Sequence, residues 1–69
     1  MALGQTIREL RHDRGLSQEE LGLKSGVHRN YIGGLERSER RPSVVTVKRL
    51  ADGLDVRASE LVAAAERRL

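Results

Sequence analysis

A chain of 69 residues has room for one small domain, since at this length folding buries only about 60% of the unfolded surface. Hydrophobic residues make up 38% and charged residues 33%, with one Tyr and no Phe, Trp or Cys. The absence of Cys excludes disulfide staples, Cys-ligated zinc and thiol catalysis, and no apolar run approaches the ~20 residues of a membrane span. The opening Met-Ala-Leu-Gly-Gln-Thr lacks a basic-then-apolar signal pattern, so a cytoplasmic chain is expected. The formal charge is +3, and eleven of the 13 basic residues are Arg. Arg forks match phosphates and guanine edges, which makes nucleic acid a candidate partner. A GC-rich coding bias would enrich Arg equally well.

No repeat or low-complexity linker divides the chain, so residues 1–69 are read as a single domain of five short helices. The first helix is predicted over 3–14, where Leu3, Ile7 and Leu10 form a stripe at i, i+4, i+7. Gly15 ends it as a left-handed C′ residue. Ser17-Gln18-Glu19-Glu20 is a capping box, with Leu16 and Leu21 at the two positions of a hydrophobic staple. This second helix stops at Gly26. The third is predicted over 28–37, with Val27, Ile32 and Leu35 turned inward. Gly33 and Gly34 inside it each cost about 1 kcal/mol against Ala, so the helix needs tertiary support or a surface without side chains. The segment 37–42 is a charged loop closed by Pro42. Ser43 caps a fourth helix over 44–53, whose stripe is Val44, Val47, Leu50, Ala51 and Leu54. A fifth, over 58–67, places Leu61, Val62 and Ala65 on one side.

The informative unit is 17–37. Two short helices meet at a turn built on Gly26, small Gly22 permits a close crossing, and Val27, Ile32 and Leu35 lock the second helix to the core. That is helix-turn-helix spacing. The carrying residues are Leu16-Ser17-Gln18-Glu19-Glu20-Leu21, Ser25-Gly26-Val27, Tyr31-Ile32, Leu35-Glu36-Arg37 and Arg41-Pro42-Ser43. Together they resemble the Cro/repressor-type (XRE) helix-turn-helix family, whose fold is an all-α, compact five-helix domain of the lambda-repressor-like DNA-binding type. The resemblance covers about 3–61. His28-Arg29-Asn30-Tyr31-Ile32 followed by Leu35-Glu36-Arg37 is, more narrowly, similar to restriction–modification controller proteins, which are small dimeric activator-repressors.

The resemblance implies a sequence-specific regulator that binds double-stranded DNA, with the third helix in the major groove. Arg29 is the first choice for reading guanine. Asn30 would pair with adenine or a phosphate, and His28 would touch DNA or merely cap the helix. Gln18 would bond a backbone phosphate from the second helix N-terminus. Tyr31 has two readings, a DNA contact or packing at the core edge. Arg40 and Arg41 resemble a phosphate-clamping loop. Arg11 and Glu36 resemble an internal pair that braces the unit. Two departures stand out: Ser38 replaces a usual Gly, which implies a turn that is strained or differently shaped, and Gly34 replaces a base-reading side chain, which would leave bare backbone to approach DNA and more of the readout to DNA shape.

A single module offers about 600–1,000 Å² to DNA, so a homodimer on a (pseudo)palindromic operator is expected, joined through helices four and five over 44–67. Val45, Val62 and Leu69 are the interface candidates. A second reading keeps the fold as a protein-binding module, an antitoxin or an adaptor; steep salt dependence of duplex binding separates the two. No P-loop, dinucleotide fingerprint or carboxylate–histidine cluster occurs, so no enzyme, cofactor or small-molecule ligand is expected. His12 and His28 without Cys make a poor metal site.

Overall fold

The computed structural model describes residues 2–69. The described chain forms α1 (Ala2–Asp13), α2 (Gln18–Ser25), α3 (Arg29–Glu36), α4 (Val44–Gly53) and α5 (Ala58–Glu66), with no strand. Every helix sends aliphatic residues to one centre. Ile7, Leu21, Ile32, Leu35, Leu50, Leu54 and Leu61 are fully buried there, and Leu3, Leu10, Leu16, Tyr31 and Val47 pack around them. Such a small core suits Leu and Ile, which fill the gaps between short helices in few rotamers.

The helix ends follow from local chemistry. Ser17 accepts the Glu20 N–H at 3.0 Å while Glu20 accepts the Ser17 N–H at 2.9 Å, so the capping box is complete. Holding that N–H lowers the Glu20 carboxyl below its ordinary value. Ser43 accepts the Thr46 N–H at 3.1 Å and starts α4 where expected. At the other ends, α1, α3 and α4 close in one pattern. Leu16 donates to Arg11 O, Glu39 to Gly34 O and Val56 to Ala51 O, each at 3.0 Å or less. These are the six-to-one bonds of a Schellman motif. The left-handed residue in each is Gly15 (φ 66), Ser38 (φ 63) and Asp55 (φ 59), so the Ser38 turn is strained.

Two expectations about faces need correction. Val44 does not join the inner stripe of α4; it is 86% exposed, because the first turn of α4 overhangs the core. Val62 likewise is not enclosed with Leu61 and Ala65; it is 44% exposed.

Two contacts matter for the site. A Cβ on Gly4 would stand 2.0 Å from the Leu35 carbonyl oxygen, so α1 crosses α3 backbone to backbone. That crossing brings Arg11 to Glu36. At the far end, Arg68 Nε donates to Thr6 Oγ1 at 2.8 Å and its guanidinium pairs with Glu9, tying the last residues to α1. No helix of the described residues is long and apolar enough to cross a membrane.

Candidate nucleic-acid interface

The turn between α2 and α3 holds Gly26 at φ 75, with its N–H bonded to Gly22 O at 2.9 Å. The chain reverses there, and Val27 drops into the core. α3 then lies with Ile32 and Leu35 fully inward, while His28, Arg29 and Asn30 at its start are exposed. No neighbouring helix covers this outer end. α3 is thus held from behind and open to solvent at its N-terminal end, while Gly33 and Gly34 farther along are buried.

His28 is the N-cap of α3, its Nδ1 accepting the Asn30 N–H at 3.0 Å. Arg29 Nη1 pairs with Glu19 Oε2 across the helix-turn-helix at 2.9 Å. Both side chains are exposed, so the pair is weak and can give way to a stronger anion. The Asn30 amide makes no hydrogen bond among the described residues. Tyr31 is half-buried against the core, and its hydroxyl donates to the Arg41 carbonyl at 2.8 Å. It therefore fastens the following loop to α3. Arg40 and Arg41 are exposed on that loop, and their guanidinium groups make no ion pair among the described residues. Gly34 does not offer bare backbone. It is buried, and the Arg40 stem lies over it, since a Cβ there would fall 2.6 Å from Arg40 Cγ.

Behind the rod sits the bracing network. Arg11 Nε and Nη2 donate to the two Glu36 oxygens at 2.8 and 2.9 Å, and Arg11 Nη1 donates to Leu16 O at 2.9 Å. The two side chains are 9% and 4% exposed. Gln18 Nε2 adds a bond to Glu36 Oε1 at 3.2 Å. Burial pushes the Glu36 carboxyl up, but the hydrogen bonds from Arg11 and Gln18 and the charges of Arg11 and Arg8 outweigh it, leaving it below its ordinary value. The hydrogen bond to Glu36 raises Arg11, against the opposing effect of burial. One guanidinium thus joins α1, the loop before α2 and the end of α3. Gln18 is placed by this network at the α2 N-terminus, half-buried.

Arg37, part of the Leu35-Glu36-Arg37 motif but given no DNA contact from the sequence, joins these cations. A Cβ on Gly33 would lie 3.0 Å from Arg37 Nη1 and 3.3 Å from Gln18 Oε1, and Arg37 Nε pairs with Glu39 at 3.2 Å. The signal for it was the glycine pair, a bare helix face that long neighbouring side chains can drape. Exposed Leu23 on α2 carried no sequence signal. Beyond Arg41, which borders it, Val44 and Val45 on α4 and Val62 on α5 share one open apolar groove with Leu3 and Val47. Leu69 adjoins it beside Val62.

A helix-turn-helix family model matches residues 7–61. The chain belongs to the helix-turn-helix family. Among its relatives, an HTH-type transcriptional regulator of Sinorhizobium fredii, y4dJ, is 42% identical over 60 residues, covering 87% of this chain and 78% of the relative. The control protein C.SmaI of Serratia marcescens is 40% identical over 60 residues, 87% of this chain and 71% of that protein. Among solved helix-turn-helix structures, the restriction–modification controller protein C.AhdI from Aeromonas hydrophila superposes with a TM-score of 0.84 at 48% identity, covering 87% of this chain and 91% of that one. C.Esp1396I bound to a 19 base pair DNA duplex superposes at 0.86 with 27% identity, covering 96% and 88%. The fold and the similarity to controller proteins expected from the sequence both hold.

Proposed function

We propose that this chain is a sequence-specific transcriptional regulator that binds double-stranded DNA as a homodimer on a (pseudo)palindromic operator, in the manner of the controller proteins it resembles. Its role is binding rather than catalysis, in the bacterial cytoplasm. The observation that carries the reading is the outward presentation of the α3 start: His28, Arg29 and Asn30 are exposed while Ile32 and Leu35 anchor the helix from behind. An α-helix fits the major groove, and the bidentate Arg fork matches guanine O6 and N7. Gln18 at the α2 N-terminus and Arg40 and Arg41 beyond α3 supply phosphate contacts on either side. His28 caps α3 through Nδ1, which leaves Nε2 to carry the proton of the neutral ring and donate outward. Tyr31 acts by holding the loop, and Arg11 and Glu36 hold α3 at its angle.

The unit 17–37 reads DNA and 44–67 joins the copies. Val45, Val62 and Leu69, together with Val44, form an exposed apolar surface on one side of the molecule, and a second copy of the chain would cover it. Two copies then present two α3 helices about 34–36 Å apart, one turn of DNA. The test is selection of bound duplexes from a random pool, followed by affinity against salt. The reading expects a dyad-symmetric sequence and log K falling with a slope near −0.9 per phosphate contacted. Failure to enrich any sequence, or an affinity flat in salt, would contradict it.

A further inference from the structure

Gly34 lies in the recognition helix without a side chain, yet it is buried. Arg40 covers it. A Cβ on Gly34 would stand 2.6 Å from Arg40 Cγ, 3.6 Å from its Cβ and 3.7 Å from its Nε. The arginine stem crosses the helix where a side chain would otherwise rise. Both neighbours of Arg40 are fastened to the same helix. The Glu39 N–H donates to the Gly34 carbonyl at 2.8 Å, and the Arg41 carbonyl accepts the Tyr31 hydroxyl at 2.8 Å. The adjacent acid, Glu39, is taken by Arg37 at 3.2 Å. The Arg40 guanidinium is left in solvent with no ion pair among the described residues.

We infer that Gly34 is a positioning residue for DNA binding: by carrying no side chain it seats Arg40 on the recognition helix, and Arg40 contacts the nucleic acid from that seat rather than from a free loop. The inference rests on the DNA-binding reading above. The physical reason is preorganisation. A long Arg side chain loses much rotamer freedom when it is fixed on a ligand, and a stem already laid against a helix has less to lose. The chemistry Arg40 would meet is a phosphate or a guanine edge, both of which accept its fork.

Alanine at 34 separates this role from a structural one. Ala favours helix over Gly, and the exposed Arg40 can swing aside from the new methyl group without unfolding the chain. The experiment compares wild type, Gly34→Ala, Arg40→Ala and the double variant on the duplex that the wild type selects from a random pool. Gly34→Ala is expected to melt at or above the wild-type temperature and to bind about tenfold more weakly, because the Arg40 side chain must then be ordered on binding. Arg40→Ala should weaken binding comparably, and the double variant should bind no worse than Arg40→Ala alone. A salt slope reduced by about 0.9 in Arg40→Ala identifies a phosphate; an unchanged slope with relaxed preference at one base identifies a guanine edge. In free wild type, nuclear Overhauser contacts between the Gly34 α-protons and the Arg40 γ-protons are expected, and this reading stands whether or not Gly34→Ala folds. Wild-type affinity in Gly34→Ala, additive losses in the double variant, or absence of the Overhauser contact would each overturn the seat while leaving the regulator reading intact. A wild type that selects no duplex overturns both.

Discussion

Arg29 and Arg11 are both arginines paired with a glutamate, and their surroundings are opposite. The Arg29–Glu19 pair is open to water on both sides and contributes at most about 1 kcal/mol, so Arg29 is free to exchange Glu19 for a base. Arg29→Ala is therefore expected to leave the melting temperature nearly unchanged. It should relax the preference at one or two positions per half-site by about 1–3 kcal/mol, read by repeating the duplex selection with the variant. The Arg11–Glu36 pair is enclosed and bidentate. Arg11→Ala would strand a buried carboxylate and should destabilise the fold by about 3–5 kcal/mol, measurable by urea unfolding. Glu36 also sets a pH dependence. Its folded value lies below the ordinary 4.5, so its contribution is fully present above that pH and is lost as pH falls through the folded value. Glu36→Gln should flatten the stability loss in this acid range, leaving the part owed to Glu20, as melting curves from neutral pH downward will show. An unchanged acid profile would contradict the pairing.

At the scale of elements, the ends of helices carry most of the local information. The α2 and α4 starts were legible because Ser17 and Ser43 are strong N-caps with a partner three residues on. The bracing pair was legible only through family resemblance, since Arg11 and Glu36 are 25 residues apart and meet because Gly4 lets α1 touch α3. Val44 was misplaced because a helical stripe predicts a face but not where the core stops. Gly34 was misread as bare because the cover comes from a loop, and periodicity says nothing of loop side chains. Of the two readings of the Ser38 turn, strained or differently shaped, the strained one holds, since the turn keeps the bond pattern of the glycine turn after α1. Left-handed backbone costs an L-residue about 1–2 kcal/mol, and Ser38 holds φ 63 in the turn that closes α3. Ser38→Gly is expected to raise stability by about 0.5–1 kcal/mol, a melting rise of about 4–8 °C per kcal/mol in a domain this small. A lower melting temperature would show that the serine hydroxyl contributes more than its backbone costs.

On the scale of the whole molecule, the proposed DNA contact and the proposed pairing of copies fall on two surfaces. One carries Arg29, Arg37, Arg40 and Arg41 around α3; the other carries Val44, Val45, Val62 and Leu69. The two meet at Arg41, which also lines the apolar groove, and charge placed on the valines should break the pairing of copies. A Val45→Glu, Val62→Glu double variant is expected to sediment as a folded monomer and to lose about 100-fold or more in operator affinity, the avidity of two linked sites. Retained dimer would move the interface elsewhere. The central claim is that the face of α3 enters the DNA. Amide chemical-shift mapping with the selected duplex tests it most directly. The account predicts large shifts at 17–18, 28–31 and 37–41 with α5 nearly silent. Shifts concentrated on α4 and α5, with 28–31 unmoved, would contradict it.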